Sequence, residues 1–345
     1  MDRTSPARRP TIRAVAERAG VSKSLVSLVL NDSPKVSPAS REAVLAAIAD
    51  LGYTPNAQAR ALSSERTRNI ALIVNDMRNP WFVEAVDSMN SALTALGLRM
   101  LIADQRLDLH VGETVARAFV EMSVDGAILV GPLVKTPALV DLIGRAPAVS
   151  VFGSRPWRGV AVDAFVTDDA GGVGLAMEHL LGLGHVRIAY IAVSGAGAGD
   201  IRRPAYEAGM REAGLASHIA VEVEDGSEDG GFRAAVRLLT HPDKPTAVIA
   251  YNDRVAIGAL SAARDLRIDV PDECSIVGYG NTSLARSRAI FLTTVDQAPA
   301  MAGRQAVATL VERMRTPAKP STTTLVAPTL VVRLTTGKCT EHTSG

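Results

Sequence analysis

Cysteine is nearly absent: Cys274 and Cys339 are the only two in 345 residues, far apart and without metal-type spacing. That excludes a disulfide framework and a cysteine-built metal centre, and it suits a reducing cytosol. Aromatic residues are scarce at 4% while small aliphatic residues abound, the balance of layered α/β proteins in which aliphatic parallel strands lie under Ala-rich helices. No window approaches the ~20 apolar residues of a membrane span. The basic start MDRTSPARRP leads into no apolar run, so no signal peptide is expected either. A soluble, cytoplasmic protein is the expectation. Short-period repeats and low-complexity tracts are missing too.

Net charge is also close to zero, at +1, but it is unevenly spread. Residues 1–69 hold eleven Lys/Arg against six Asp/Glu, a net of +5, whereas the remainder holds 26 against 30, a net of −4. A basic head on an acidic body points to a polyanionic partner for the head alone. The length exceeds one ordinary core and suggests two or three folding units.

The first sixty residues show no strand-like alternation. Thr11 can cap a helix whose apolar positions Ile12, Val15, Ala16 and Ala19 recur at helical spacing, and Gly20 stops it. Ser22 can cap the next helix, within GVSKSLVSLVLN at residues 20–31, with Val26 and Val29 inward and Asn31-Asp32-Ser33-Pro34 as a breaker. Ser37-Pro38 opens a third, with Val44, Leu45, Ile48 and Leu51 on its apolar side and Gly52 at its end. Three short helices, the first two joined by a tight glycine turn, describe a helix-turn-helix. A helix opening at Ser22 offers backbone N–H groups to phosphate. Its outward residues Lys23, Ser24, Ser27 and Leu28 can reach base edges in a major groove about 12 Å wide. Leu28 lies about 100° from Val29 and is expected to point outward with Ser24; the alternative is packing on the third helix. Arg8, Arg9, Arg13, Lys35 and Arg41 could neutralise phosphates. The plainer reading of such charges is a solvated face, which the net of +5 disfavours.

From about Asn69 strand and helix alternate. Strands are expected at Ile70–Asn75, Arg99–Ala103, Ala127–Val130, Ala148–Phe152, Arg187–Val193, Ala247–Tyr251 and Ser275–Gly278. Helices are expected at Trp81–Leu96, Gly112–Met122, Ala170–Leu183, Arg254–Leu266 and Met301–Met314. Such repetition means parallel sheets with right-handed crossovers. Two runs, split near residue 165, suggest two lobes with a cleft between them, and the polar end Thr335–Gly345 reads as frayed.

Residues 11–62, from TIRAVAERAGVS to PNAQARAL, resemble the DNA-binding head of the lactose-repressor (LacI/GalR) family of bacterial transcription regulators. Ala19-Gly20-Val21-Ser22, Val26-Ser27, Asn31 and Leu51-Gly52-Tyr53-x-Pro55-Asn56 all stand in place. Asn79-Pro80-x-Phe82, Val124-Asp125-Gly126, Glu178-His179-Leu180, Leu183-Gly184-His185, Asn252-Asp253 and Leu292-Thr293-Thr294-Val295 follow in family order, so the likeness covers nearly the whole chain. It implies a helix-turn-helix head over 1–54, a hinge helix and linker over 55–68, and a two-lobe effector-binding and dimerisation body over 69–345. The body would be two doubly wound parallel-sheet lobes of periplasmic-binding-protein type. It also implies DNA contact by Thr11, Ser22, Lys23, Ser24, Ser27, Leu28, Asn31, Asn56, Ala59 and Leu62. Leu62 falls where the family wedges a leucine into the minor groove, a device that unstacks and bends the duplex. The plainer reading of 55–62 is an interdomain helix, too short to be stable alone and so suited to coupling.

In the body, open parallel sheets bind ligands at strand ends. Asp76, Asn79, Phe82, Asn252 and Asp253 lie there, and Arg202 fits the family's effector-binding arginine. Asn79 and Asn252 are equally good helix caps. The family's aspartate after Val-Gly-Tyr is missing behind Val277-Gly278-Tyr279, and Asn281 is expected to take its place. The family's proline before Leu-Thr-Thr is missing too, so the effector need not be an ordinary sugar. Gly195-Ala-Gly-Ala-Gly199 lacks the third glycine of a dinucleotide fingerprint, where Asp200 stands, and no helix opening is expected after it. His179 and His185 read as structural hydrogen-bonding residues rather than metal ligands. No catalytic constellation arises, so neither enzyme activity nor a cofactor is expected. The whole points to a dimeric, sequence-specific transcription regulator, most readily a repressor, acting on a palindromic DNA operator and controlled by a small polar, sugar-like effector. Its rivals are a solute-binding protein and an α/β enzyme with a fused helix-turn-helix. No leucine-rich tail that would build a tetramer follows Arg333.

Overall fold

Thr11 Oγ1 accepts the amide of Ala14 and opens helix α1 (Ile12–Ala19), which Gly20 ends at φ 66°, a left-handed conformation that glycine adopts without strain. Ser22 Oγ accepts the amide of Leu25 and opens α2 (Lys23–Leu30). Ser37 caps α3 (Pro38–Leu51), with Pro38 in its first turn. Val15, Ala16, Val26, Val29, Val44, Ala47 and Tyr53 form the buried core of this head. Leu25, Leu30, Ile48 and Leu51 pack against its margin, but Leu45, expected inside, is 53% exposed: the buried residues of α3 are Val44 and Ala47. The computed structural model describes residues 10–30, 33–53, 66–108, 112–153, 162–193 and 197–339. Asn31, Asn56, Ala59 and Leu62, with nearly all of the expected hinge and linker, lie outside them. The chain divides into two compact units, Met1–Thr67 and Arg68–Gly345.

In the second unit β1 (Asn69–Val74), α4 (Pro80–Ala95), β2 (Arg99–Asp104), α5 (Gly112–Glu121), β3 (Gly126–Val130), α6 (Pro137–Arg145), β4 (Val149–Phe152) and β5 (Asp163–Thr167) build one lobe. The other comprises α7 (Asp169–Gly182), β6 (Ile188–Val193), α8 (Gly199–Glu212), β7 (Ala220–Glu224), α9 (Glu228–Leu239), β8 (Ala247–Ala250), α10 (Asp253–Asp265), β9 (Ser275–Tyr279), α11 (Ser283–Arg286) and β10 (Thr293–Asp296). The chain then returns. Helix α12 (Pro299–Arg315) packs on α4, and β11 (Thr323–Val326) pairs with β5 in the first lobe, before β12 (Thr329–Val331) pairs antiparallel with β10 in the second. The sheet orders are β11-β5-β4-β3-β1-β2 and β12-β10-β9-β8-β6-β7. Apart from β12, every pairing is parallel.

Each sheet is covered on both faces, as parallel strands require. α4 and α12 cover one face of the first sheet, and α5 and α6 the other. α9 and α10 cover one face of the second, and α7 and α8 the other. α9 and α10 approach so closely that a Cβ on Gly258 would overlap the Glu228 carbonyl. Arg313 of α12 donates to both carboxylate oxygens of the buried Asp163 at the start of β5, at 2.5 and 3.0 Å, and so ties the returning chain to the first lobe.

Three expectations need correction. The stretch near residue 165, read as a lobe boundary, is strand β5 of the first lobe, because β4 and β11 pair on either side of it. A helix does open at Gly199. Thr335 is buried rather than frayed: its carbonyl accepts the amide of Ile276, and its hydroxyl donates to the Ile276 carbonyl at 2.7 Å.

Candidate functional site

Parallel strands carry all their carboxyl ends to the same side, so the loops after β1, β3 and β4 face those after β6, β7 and β8 across a cleft of about 1130 Å³. In the first lobe, Asp76 takes Arg78 Nη2 at 2.8 Å and stands 3.3 Å from Arg106 Nε. Partial burial pulls its carboxyl upward, but the Arg78 hydrogen bonds and both guanidinium charges outweigh that and hold it below the ordinary carboxylate range. Asn79 Oδ1 accepts the amide of Trp81 and caps α4. The first turn of α4 thereby presents an aromatic floor. Trp81 stacks on Phe152 at 5.4 Å and meets Phe82 edge-on at 5.0 Å. The buried Trp81 Nε1 has no hydrogen-bond partner.

In the second lobe, Arg202 lies in the early turns of α8, 5% exposed. Asp169 Oδ1 is 2.8 Å from its Nε and 2.7 Å from Nη2, while Nη1 donates to the Tyr251 carbonyl at 2.6 Å. Its guanidinium carbon lies 3.6 Å from the Tyr279 ring centroid. Burial alone would favour proton loss, but the Asp169 charge and the surrounding tyrosines keep Arg202 cationic and raise its pKa. At most three of five guanidinium N–H groups are engaged by these acceptors, which leaves donors for a polar guest. Asn252 Oδ1 accepts the amide of Val255 and caps α10 at the cleft wall. Gln297, on the crossover to α12, donates to Thr167 Oγ1 at 3.1 Å.

Of the expected cleft residues, Asp76, Asn79, Phe82, Arg202 and Asn252 line one wall or the other. Asp253 and Asn281 do not, and both expectations are corrected. Asp253 is 1% exposed and spends its carboxylate on the Thr282 amide and hydroxyl and the Thr294 hydroxyl, tying α10 to the loop after β9 and to β10 itself. Asn281 donates to Asp296 and accepts from Arg333 at 2.6 Å, and it is not among the residues that line the cleft. Sequence reasoning passed over Trp81, Asp169, Tyr251 and Tyr279. The available signal was adjacency: Trp81 and Tyr251 each precede a residue already singled out, Tyr279 ends β9, and Asp169 opens the helix that follows β5. His179 and His185 are tied to Thr336, Thr246 and the Gly337 carbonyl. Among the described residues, no group of three His, Cys, Asp or Glu could hold a metal ion, and no helix is long and apolar enough to cross a membrane.

In the head, Thr11 and Ser22 are exposed caps, and Lys23 and Ser24 are exposed on α2 beside the half-buried Ser27. Leu28 belongs to no core cluster and is 38% exposed, so it does not pack on α3 as a core residue. Arg13 is paired with Glu17 and Arg18 with Asp50, both at the surface.

Comparison with known proteins places these two units. Residues 11–56 match the model for bacterial regulatory proteins of the lacI family, and residues 177–336 match that for the periplasmic binding protein-like domain. The chain is similar to the HTH-type transcriptional regulator DegA of Bacillus subtilis (34% identical over 337 residues, 94% of this chain and 98% of DegA). It is similar to the regulator GalR of Escherichia coli (32% over 328 residues, 94% of each chain). Among solved structures it resembles the lac repressor dimer bound to operator and the anti-inducer ONPF (TM-score 0.84, 25% identical, covering 96% of this chain and 100% of that one). It also resembles a transcriptional regulator CelR–cellobiose complex (TM-score 0.69, 29% identical, 95% and 100%).

Proposed function

The chain belongs to the lacI family of bacterial regulatory proteins and is a DNA-binding transcription regulator, and from that premise we propose that it is a homodimeric repressor of a two-fold symmetric operator. Its operator affinity is set by a small polar, sugar-like metabolite held between the two lobes. One observation carries this reading: a buried, stacked arginine, Arg202, and an aromatic floor, Trp81–Phe82, face a single cleft on a chain that also bears a capped helix with an outward polar face. Asp76, Asn79, Phe82, Arg202 and Asn252 contact the metabolite. Thr11, Ser22, Lys23, Ser24, Ser27 and Leu28 meet DNA, joined by Asn31, Asn56, Ala59 and Leu62 on the strength of the family pattern. The head occupies 1–54, the hinge and linker 55–68 and the effector and dimerisation body 69–345. The similar regulator CelR, solved as a cellobiose complex, supports a sugar as guest. The body works by binding rather than turnover: a metabolite that favours one lobe arrangement changes the spacing of two paired heads, a coupling between distant sites.

Selection of fragments from random duplex DNA by the full chain, with and without fractionated metabolite pools, tests this. A palindrome should be enriched, and a polar fraction should change its recovery. A monomer that holds one half-site as tightly as the palindrome overturns the dimeric reading.

A further inference from the structure

Val26 and Val29 fix the inward direction of α2, since both are buried in the head's core. At 3.6 residues per turn, Ser24 then lies opposite the core, with Ser27 and Leu28 on either side of it and Lys23 at the margin. This face is unusual in what its middle can do. Serine is short and cannot form the bidentate pairs by which Arg, Lys, Asn or Gln distinguish bases, and of those four α2 holds only Lys23, at the margin of this face. The side chain that reaches furthest from the middle of the face is Leu28, which is apolar and 38% exposed. An isobutyl group neither donates nor accepts a hydrogen bond. In a major groove the one apolar base feature it can meet is the thymine C5-methyl. Contact there removes apolar surface of both partners from water, whereas contact with a guanine or cytosine edge would bury polar atoms unpaired. The net charge of +5 over residues 1–69 favours a polyanion as the partner of the head that carries this face.

We propose that Leu28 is a specificity-determining residue that reads a thymine methyl in each half-site of the operator. The inference rests on the DNA-binding reading above and adds the base. Each half-site carries an A·T pair under Leu28, and its recognition survives loss of every hydrogen bond at that position but not loss of the methyl.

The experiment uses the full chain and an operator selected from random duplexes. Each thymine is replaced in turn by deoxyuridine, which deletes the methyl and keeps every hydrogen-bonding atom, and affinity is measured for the parent and for Leu28→Ala. One thymine per half-site should stand out: its replacement weakens the parent roughly fourfold, the worth of one buried methyl-sized group, and leaves Leu28→Ala unaffected. Leu28→Arg should select guanine at the same position. If no deoxyuridine position weakens the parent, the proposal is overturned by the parent alone, whatever the variants do. It is equally overturned if Leu28→Ala keeps the parent's dependence at that thymine. Failure of the parent to enrich any duplex would instead strike the regulator reading, so the two failures are distinguishable.

Discussion

The guanidinium carbon of Arg202 lies over the Tyr279 ring, 3.6 Å from its centroid, while Asp169 holds the same guanidinium at 2.7 Å. The arginine thus neutralises a buried carboxylate and presents donors to the cleft at once. The two duties separate by substitution. Arg202→Ala strands Asp169 and should cost about 3–5 kcal/mol of stability. Arg202→Lys keeps the charge but loses the planar fork. Its melting temperature should fall less, its operator affinity without effector should match the parent's, and its response to effector should vanish. Thermal unfolding beside gel-shift titration checks all three, and an unaltered response in Arg202→Lys would remove Arg202 from the effector site.

Asp163 should make stability depend on pH. Burial alone would raise its carboxyl, but hydrogen bonds from Arg313 and Thr322 overrule that and hold it below the ordinary range. On acidification the unfolded chain therefore takes up the proton first, near pH ~3.9. The contribution is complete above that value and is lost as pH falls through the lower folded one. Asp163→Asn should be about 3–5 kcal/mol less stable than the parent at neutral pH. The gap should stay constant down to about pH 4 and begin to narrow below it in urea titrations between pH 7 and 3. A gap independent of pH contradicts the assignment.

Two glycine-to-alanine changes should move stability in opposite directions. Gly258→Ala forces α10 off the Glu228 carbonyl and the Phe232 amide and should cost about 1–3 kcal/mol. Gly174, in mid-helix α7, faces open space, and Gly174→Ala should gain about 0.5–1 kcal/mol through helix propensity. Melting temperatures decide both; a neutral Gly258→Ala would show that the helix pair has slack.

Lys23 stands at the margin of the outward face of α2, the face proposed to meet DNA, and should act through phosphate. Lys23→Ala should weaken binding to all duplexes alike and, with two copies per dimer, make the log–log salt slope shallower by about 1.8. A changed base preference with an unchanged slope would mean that Lys23 reads a base instead.

Much of this was legible in sequence because it is local. Thr11, Ser22 and Ser37 announce their helices, Gly20 and Gly52 end them, and the aliphatic runs at Ile70, Ile188 and Ala247 can only be buried strands. What escaped depends on distant partners. Asp253 follows a strand end as a ligand residue would, yet its partners Thr282 and Thr294 lie 29 and 41 positions on. Asn281 is drawn away by Asp296 and Arg333. β7 and β11 were missed because edge strands with exposed positions, such as the TTLV of Thr323–Val326, carry no continuous apolar signal.

Chain order and lobe order do not match, and that bears on how the protein is made. A ribosome has delivered β1 to β5 by Thr167, yet α12, which covers Ala85 and Ser88, and β11, which closes the edge of β5, are translated after nearly all of the second lobe. Until Val326 emerges, the nascent first lobe carries an open strand edge and a bare apolar face, the features that recruit chaperones or seed aggregates. The second lobe waits only five residues longer, for Val331 of β12. Both lobes therefore reach completion almost together, and a message cut short anywhere before Val326 yields two unfinished lobes rather than one good one.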